Sequence, residues 1–506
     1  MPHAQTASLL GFTTLALALT LSGCSPRKGG TESASATTDS SSEGASANTG
    51  AIPITAASDE ARTLYLEGRA LSEQLKAHDG RAKFEAAVAK DPSFAMAHYQ
   101  LATNSATAKD FFAHLKEAVA LSDKVSEGER LTILALEAGG NAQPAKALEY
   151  QQQLVAKYPN DERAHFLLGT GYFGQQDYEK AIAEIHKATE INPNYSPAYN
   201  QLGYLYRQVE KYDDAETAFK KYIELIPNDP NPYDSYAELL MKTGRFDESV
   251  AQYQKALSVD DHFTPSRVGI ANNLMLQGKA DQAAAKMDDL YGRARDDADR
   301  RTAMFVKGVI LTDAGRTDAA VKEIEREYAY DAKLADTANM SGDAQLIGNI
   351  LLNAGRTDQA AKRFSQAVDL VEQSSLSDQV KQDTRLADRY NKGRVALAKK
   401  DVATAKTEAK AYLDGATERQ NKFRTRQAHE LEGRIALADK HYDDAIMHLG
   451  QANQQDPEVV YLTALAYQGK GDGAKAKELA AKAANANLLP LATYAFVRVK
   501  ARKLAA

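Results

Sequence analysis

Gly169 and Gly203, Tyr172 and Tyr206, Ala181 and Ala215, and Pro193 and Pro227 are four pairs of like residues, each separated by 34 positions. Pro159 precedes Pro193, and Ala147 precedes Ala181, by the same step. A fixed period of this length marks a chain built from one supersecondary unit that buries its apolar face only against copies of itself. Two units written out are HFLLGTGYFGQQDYEKAIAEIHKATEINP and YNQLGYLYRQVEKYDDAETAFKKYIELIP.

These units resemble the tetratricopeptide repeat (TPR), which sets Leu-Gly, then Tyr, then Ala, Phe, Ala and Pro at fixed offsets. The resemblance implies an all-α solenoid, a right-handed superhelix of about 10–12 helix pairs. Each unit would be two antiparallel helices. Gly169 or Gly203 in the first would face Ala181 or Ala215 in the second. Tyr172, Tyr206 and Phe219 would fill the space beside that contact, and Pro193 and Pro227 would end the second helix. Glycine inside a helix costs about 1 kcal/mol relative to alanine, so it is expected there only where packing requires it.

The same stretch contains Gly169, Gly171 and Gly174, a literal G-x-G-x-x-G. A dinucleotide loop needs a strand before it and a helix opening at the third glycine. Here the glycines lie inside a helical pattern with no β-rich run upstream, so they read as packing glycines.

The register is strong over 128–290 and extends more loosely over roughly 57–489. AGRTDAAVKEI from Ala314 and AGRTDQAAKRF from Ala354 are nearly identical, 40 positions apart. Polar stretches near Arg293–Arg301, Ser374–Thr384 and Asp414–Thr425 break the period and read as loops or extended helix ends. The expected organisation is a TPR array over 57–295 and a looser TPR-like helical array over 296–506. Whether the second continues the first is left open by the pattern.

The N-terminus is of another kind. Ala7–Leu21 is mostly apolar, too short to span a bilayer comfortably, and is followed by Ser22-Gly23-Cys24. The LSGC run resembles the lipobox of bacterial lipoproteins, although MPHAQT before it carries no Lys or Arg. The resemblance implies a signal peptide over 1–23, lipid attachment at Cys24 and, because Ser25 follows, the outer membrane facing the periplasm. Acyl chains would contribute about 0.8 kcal/mol per buried methylene to membrane binding. Residues 24–56 are mostly Ser, Thr, Gly and Ala and read as a disordered tether. It would reach on the order of 30 Å.

Composition narrows the function. The 506 residues carry 62 basic and 68 acidic side chains, well mixed, for a net charge of −6. Nucleic-acid binding, which needs clustered cations, is not expected. No Walker loop, G-x-S-x-G or H-E-x-x-H is present, and no enzyme, cofactor or metal site is expected. His441 and His448 could share a helix face but lack a third ligand. Asp213-Asp214 and Asp443-Asp444 fall where a second helix begins, which suits the positive end of its dipole.

In a TPR array the working surface is the inner groove, lined by first-helix residues. By the register these include Phe166, Thr170 and Phe173, then Asn200, Tyr204 and Arg207, then Asp234, Glu238 and Lys242. The mixture suits a peptide or extended polymer. TPR domains that clamp a C-terminal carboxylate use Lys and Asn on the first helix, whereas Phe166 and Thr170 stand there. The expected function is a membrane-anchored periplasmic scaffold for protein partners in envelope assembly or export. The rival is a polysaccharide-binding accessory of exopolysaccharide secretion, since 24 tyrosines permit sugar stacking.

Overall fold

The computed structural model describes residues 50–74, 76–105, 107–488 and 491–506. The expected signal segment, Cys24 and the tether up to residue 49 lie outside the described residues.

The described chain is helical, and its helices come in antiparallel pairs. The pairs are α1 (Asp59–Glu73) and α2 (Ala77–Lys90), α3 (Ala95–Thr103) and α4 (Ala108–Leu121), α5 (Glu127–Gly140) and α6 (Pro144–Lys157), α7 (Glu162–Gly174) and α8 (Tyr178–Ile191). Next come α9 (Ser196–Gln208) and α10 (Tyr212–Leu225), α11 (Asn231–Lys242) and α12 (Phe246–Val259), α13 (Thr264–Leu276) and α14 (Ala280–Arg293), α15 (Asp297–Asp313) and α16 (Thr317–Lys333). The stack ends with α17 (Thr337–Asn353) and α18 (Thr357–Glu372), α19 (Asp378–Ala398) and α20 (Val402–Glu418), α21 (Lys422–Ala438) and α22 (Tyr442–Gln451), α23 (Pro457–Lys470) and α24 (Gly473–Ala484), and a single last helix, α25 (Ala492–Ala505). Every helix packs on the next, including α14 on α15, so the looser half continues the stack without a break.

The change of period has a simple cause. Helices α7 to α10 are 13 or 14 residues long, whereas α15, α16 and α17 have 17. Lengthening each helix of a pair by about one turn keeps the same faces inward and lengthens the unit by about six residues.

Six first-helix glycines meet a bulky residue sixteen positions later: Gly68 with Phe84, Gly169 with Ile185, Gly203 with Phe219, Gly308 with Ile324, Gly348 with Phe364 and Gly433 with Leu449. This corrects the expected partner. A Cβ on Gly169 would come 2.6 Å from Ile185 Cδ1, while Ala181 offers its backbone carbonyl at 3.3 Å. Alanine one turn earlier brings the second helix close, and the large side chain then covers the bare glycine backbone. Tyr172 is buried as expected, but Tyr206 is only half-buried. Gly203→Leu would drive its side chain into the Phe219 ring, and the expected loss of stability is about 1–3 kcal/mol. Urea unfolding measures it, and a loss below a few tenths would mean that this face is not packed.

From α5–α6 onward, the turn inside each pair is marked by one left-handed residue. Ala142, Gln176, Glu210, Gly244 and Gly278 all have positive φ, at successive steps of 34. It lets the chain leave one helix and enter the next in three residues. Gly278 has φ 80° and open space around it, so Gly278→Ala tests backbone conformation alone. About 1 kcal/mol of destabilisation is expected, again by urea unfolding.

The end of the expected tether is fixed rather than loose. Ile52 N donates to Asp161 Oδ2 at 2.9 Å, Thr55 N to Glu129 Oε1 at 2.8 Å and Ala57 N to Asp91 Oδ2 at 2.8 Å. Residues 52–57 thus run past the starts of α7, α5 and α3 in turn. Ile52 packs beside Leu131 and Leu154, and Ile54 beside Phe84 and Phe94, which fixes this stretch by apolar burial as well.

The stack also returns on itself. Phe112 of α4 packs with Ala338, Val371 and Val380 of α17, α18 and α19. Arg426 of α21 donates to the Gln176 carbonyl at 3.2 Å, and Ser377 Oγ to Asn141 Oδ1 at 2.9 Å.

Candidate functional site: the inner face and what covers it

The first helix of each pair lies on the inside, where α9, α11, α13 and α15 meet one another in sequence. Phe166, Thr170 and Phe173 share one face of α7, at helical spacing, and each stays half-buried. Phe166 meets Tyr195 edge-on at 5.5 Å, and Phe173 lies 6.0 Å from Tyr178. Thr170 Oγ1 donates to Leu167 O at 2.7 Å. Asn200 is half-buried too, and its Oδ1 sits out of solvent without a hydrogen-bond partner.

Tyr204, Arg207, Asp234 and Glu238 are placed otherwise. They are buried, Asp234 and Glu238 almost completely at 1% and 2% exposure. Tyr204 OH donates to Ser235 Oγ at 3.1 Å, and Arg207 Nη1 to Glu238 Oε2 at 2.9 Å. Arg207 also lies over the Tyr204 ring at 4.8 Å, and Ser266 Oγ donates to Asp234 Oδ1 at 2.7 Å. Adjacent inner helices neutralise one another here, so these four side chains bind the stack together rather than line an open groove. Burial, with Glu238 one turn away, holds the Asp234 carboxyl above its ordinary range. The folded chain therefore binds a proton there that the unfolded chain has released, and stability falls as pH rises from about 4. Asp234→Asn removes that dependence. Its gain over the native chain is expected to be largest at about pH 8 and to vanish towards about pH 4, measured by thermal unfolding across pH.

Lys242 contacts another part of the chain altogether. Its Nζ donates to Ala486 O at 2.7 Å, and burial, with Arg207 nearby, pushes its pKa down to about 8. Asn272 Nδ2 donates to Leu488 O at 3.0 Å. Ala486 and Tyr494 join the core formed by Met241, Val268 and Met275. Phe496 and Val497 of α25 join that of Ile347 and Leu351. Arg498 Nε donates to Asp313 Oδ1 at 2.5 Å, and its two terminal nitrogens reach Leu276 O at 3.2 Å and Met275 O at 3.3 Å. The C-terminal segment from about residue 485 therefore lies on the inner side of α11, α13, α15 and α17, where a ligand would lie. The sequence carried one trace of this: the stretch after α24 lacks the repeat pattern yet holds Tyr494, Phe496 and Val497 close together.

The remaining candidates are spread out. Gly169, Gly171 and Gly174 all lie within α7, so the glycine motif is helix packing. His448 faces His429, with Nδ1 atoms 3.4 Å apart, and His441 stands apart at the start of α22. Asp213-Asp214 and Asp443-Asp444 do fall in the first turns of α10 and α22. Among the described residues no helix is long and apolar enough to cross a membrane. One group of acids, Glu327, Asp331 and Asp343, converges where the sequence pattern gave no motif.

Paired helices stacked in one file, with inner side chains presented in rows, define a helical-repeat solenoid. Four family models match, all described as tetratricopeptide repeat, over residues 162–195, 196–229, 231–263 and 268–336. The chain is thus a tetratricopeptide repeat protein, with its recognised repeats within residues 162–336, and this fold supports a scaffold for protein–protein interaction. No curated protein matches it by sequence. Similar solved structures include a tetratricopeptide repeat protein from Parabacteroides merdae ATCC 43184, at 15% identity over 51% of this chain and 99% of that one, with a TM-score of 0.36. A thermophilic TPR protein of Thermus thermophilus is 24% identical over 42% of this chain and 99% of that one, with a TM-score of 0.28. The APC/C hetero-tetramer Cut9–Hcn1 is 15% identical over 84% of this chain and 76% of that one, with a TM-score of 0.40.

Proposed function

We propose that this protein is a lipid-anchored scaffold of the bacterial cell envelope, held to the outer membrane through Cys24 and binding a protein partner in envelope assembly or export. The observation that carries the binding site is the row Phe166, Thr170 and Phe173 on α7. It is half-exposed and partly aromatic, whereas the inner faces of α11, α13, α15 and α17 are covered by the chain's own C-terminal segment. Such a surface suits an extended or helical peptide segment anchored by apolar side chains.

Two experiments test the reading. Cys24→Ala is expected to release the protein from the membrane fraction, and an unchanged fraction rejects the anchor. Phe166→Glu together with Phe173→Glu is expected to abolish capture of envelope partners from a detergent extract while the far-UV circular dichroism stays native. Retention of every protein partner, with loss of polysaccharide binding instead, would favour the glycan-binding alternative.

A further inference from the structure

α16 and α17 are joined by a tight turn at Leu334–Asp336, which sets the end of one helix against the start of the other. Glu327 and Asp331 lie one turn apart on α16, and Asp343 lies opposite on α17. One carboxylate oxygen from each falls within 4.8 Å of the others. The three residues are 3%, 0% and 6% exposed. Asp336 stands beside them, capping α17 through Asn339 N at 3.1 Å. The guanidinium that meets the group is that of Arg301 on α15, whose Nη1 donates to Asp331 Oδ1 at 3.2 Å and Asp336 Oδ2 at 3.4 Å. Four acids thus surround one arginine.

The decisive atoms are Asp343 Oδ2 and Asp331 Oδ2. Both are out of solvent and neither accepts a hydrogen bond from any donor group, while the two carboxyls face each other closely enough for a hydrogen bond only if one of them carries a proton. Asp343, more than nine-tenths buried, directs its carboxylate into the group. Ionised carboxylates offer only lone pairs to one another, and a buried charge without a counter-charge is strongly unfavourable. Something positive must complete the arrangement, and it is either a proton or a cation.

We propose that Glu327, Asp331 and Asp343 form an oxygen-only binding site for a divalent cation, with calcium the ion that fits best. The donor set contains no imidazole or thiolate, which disfavours zinc and copper. Calcium takes six to eight oxygens at about 2.3–2.6 Å in irregular geometry, so two of its ligands can stand up to roughly 5 Å apart. Three carboxylates supply as many as six oxygens. Magnesium demands a near-ideal octahedron and keeps several waters, which a group buried between two helices does not accommodate. A bound ion would tie α16 to α17, beside Arg301 of α15, in the middle of the stack.

The test uses the full chain stripped with EDTA. Equilibrium dialysis with calcium is expected to give one ion per chain, and saturating calcium to raise the melting temperature by about 2–4 °C. Magnesium at the same concentration is expected to do much less. Asp343→Asn keeps the shape and removes a buried charge, so it should fold. It is expected to weaken calcium binding at least tenfold and to lose the thermal response. Glu327→Gln is an independent second variant with the same expected loss. No bound calcium, or variants that bind as the native chain does, would overturn the proposal. So would a melting temperature indifferent to calcium that rises on acidification from about pH 7 to about pH 5, which would assign the counter-charge to a proton shared between the carboxyls.

Discussion

Arg498→Met is expected to destabilise the protein by about 3–5 kcal/mol, the usual cost of removing one partner of a buried ion pair. Arg498 is 3% exposed and Asp313 5%. Their bidentate contact is supplemented by two carbonyls at the end of α13. Methionine fills much of the same volume, so the loss comes from leaving the Asp313 carboxylate buried without its cation. Urea unfolding reads the energy. Limited proteolysis reads the place, because residues beyond 485 should become cleavable before the stack itself does. The double variant Arg498→Met with Asp313→Leu removes both charges and is expected to recover most of the loss. If the single variant is as stable as the native chain, the C-terminal segment is not held by this pair.

Arg207→Met is expected to cost a similar amount, about 3–5 kcal/mol. The reason is local crowding of like charge. Without the guanidinium, Glu238 stays buried one turn from the buried Asp234, and two carboxylates then share an apolar site. The deficit should shrink as pH falls, because a proton can replace the lost cation, and thermal unfolding at several pH values checks this. Arg207→Met with Glu238→Leu should restore stability. A pH-independent deficit would show that the loss is one of packing over Tyr204 rather than of charge.

Both predictions fall on residues that lie on or beside the inner face, and this is where sequence and structure diverge most usefully. The register places Arg207, Asp234 and Glu238 on inner helices, and they are there. Their spacing does not reveal that adjacent inner helices satisfy them, because an arginine on α9 and a glutamate on α11 are related by 31 positions and a packing angle. The glycines were legible as packing residues, but their true partners lie at the sixteenth position, not the twelfth. An antiparallel pair brings the two helices close at alanine and covers the glycine one turn further on. The left-handed turn residue keeps the 34-step most faithfully of all, yet it is Ala142, Gln176 or Glu210 as readily as glycine. Backbone conformation there is imposed by the helices on either side. The acids at 327, 331 and 343 left no motif, since two lie on one helix and the third arrives only when the hairpin closes.

The helix pair, its spacing, its tight turns and its stacking order were readable from side chains within about forty positions, because each unit is stabilised by itself and its immediate neighbours. The covering of the inner face was not. Whether the last helix reaches α11 to α17, or α21 touches the α7–α8 turn, depends on the small rotation between units added over the whole stack. No local pattern encodes that sum, and only the assembled superhelix fixes which inner residues remain open to a partner.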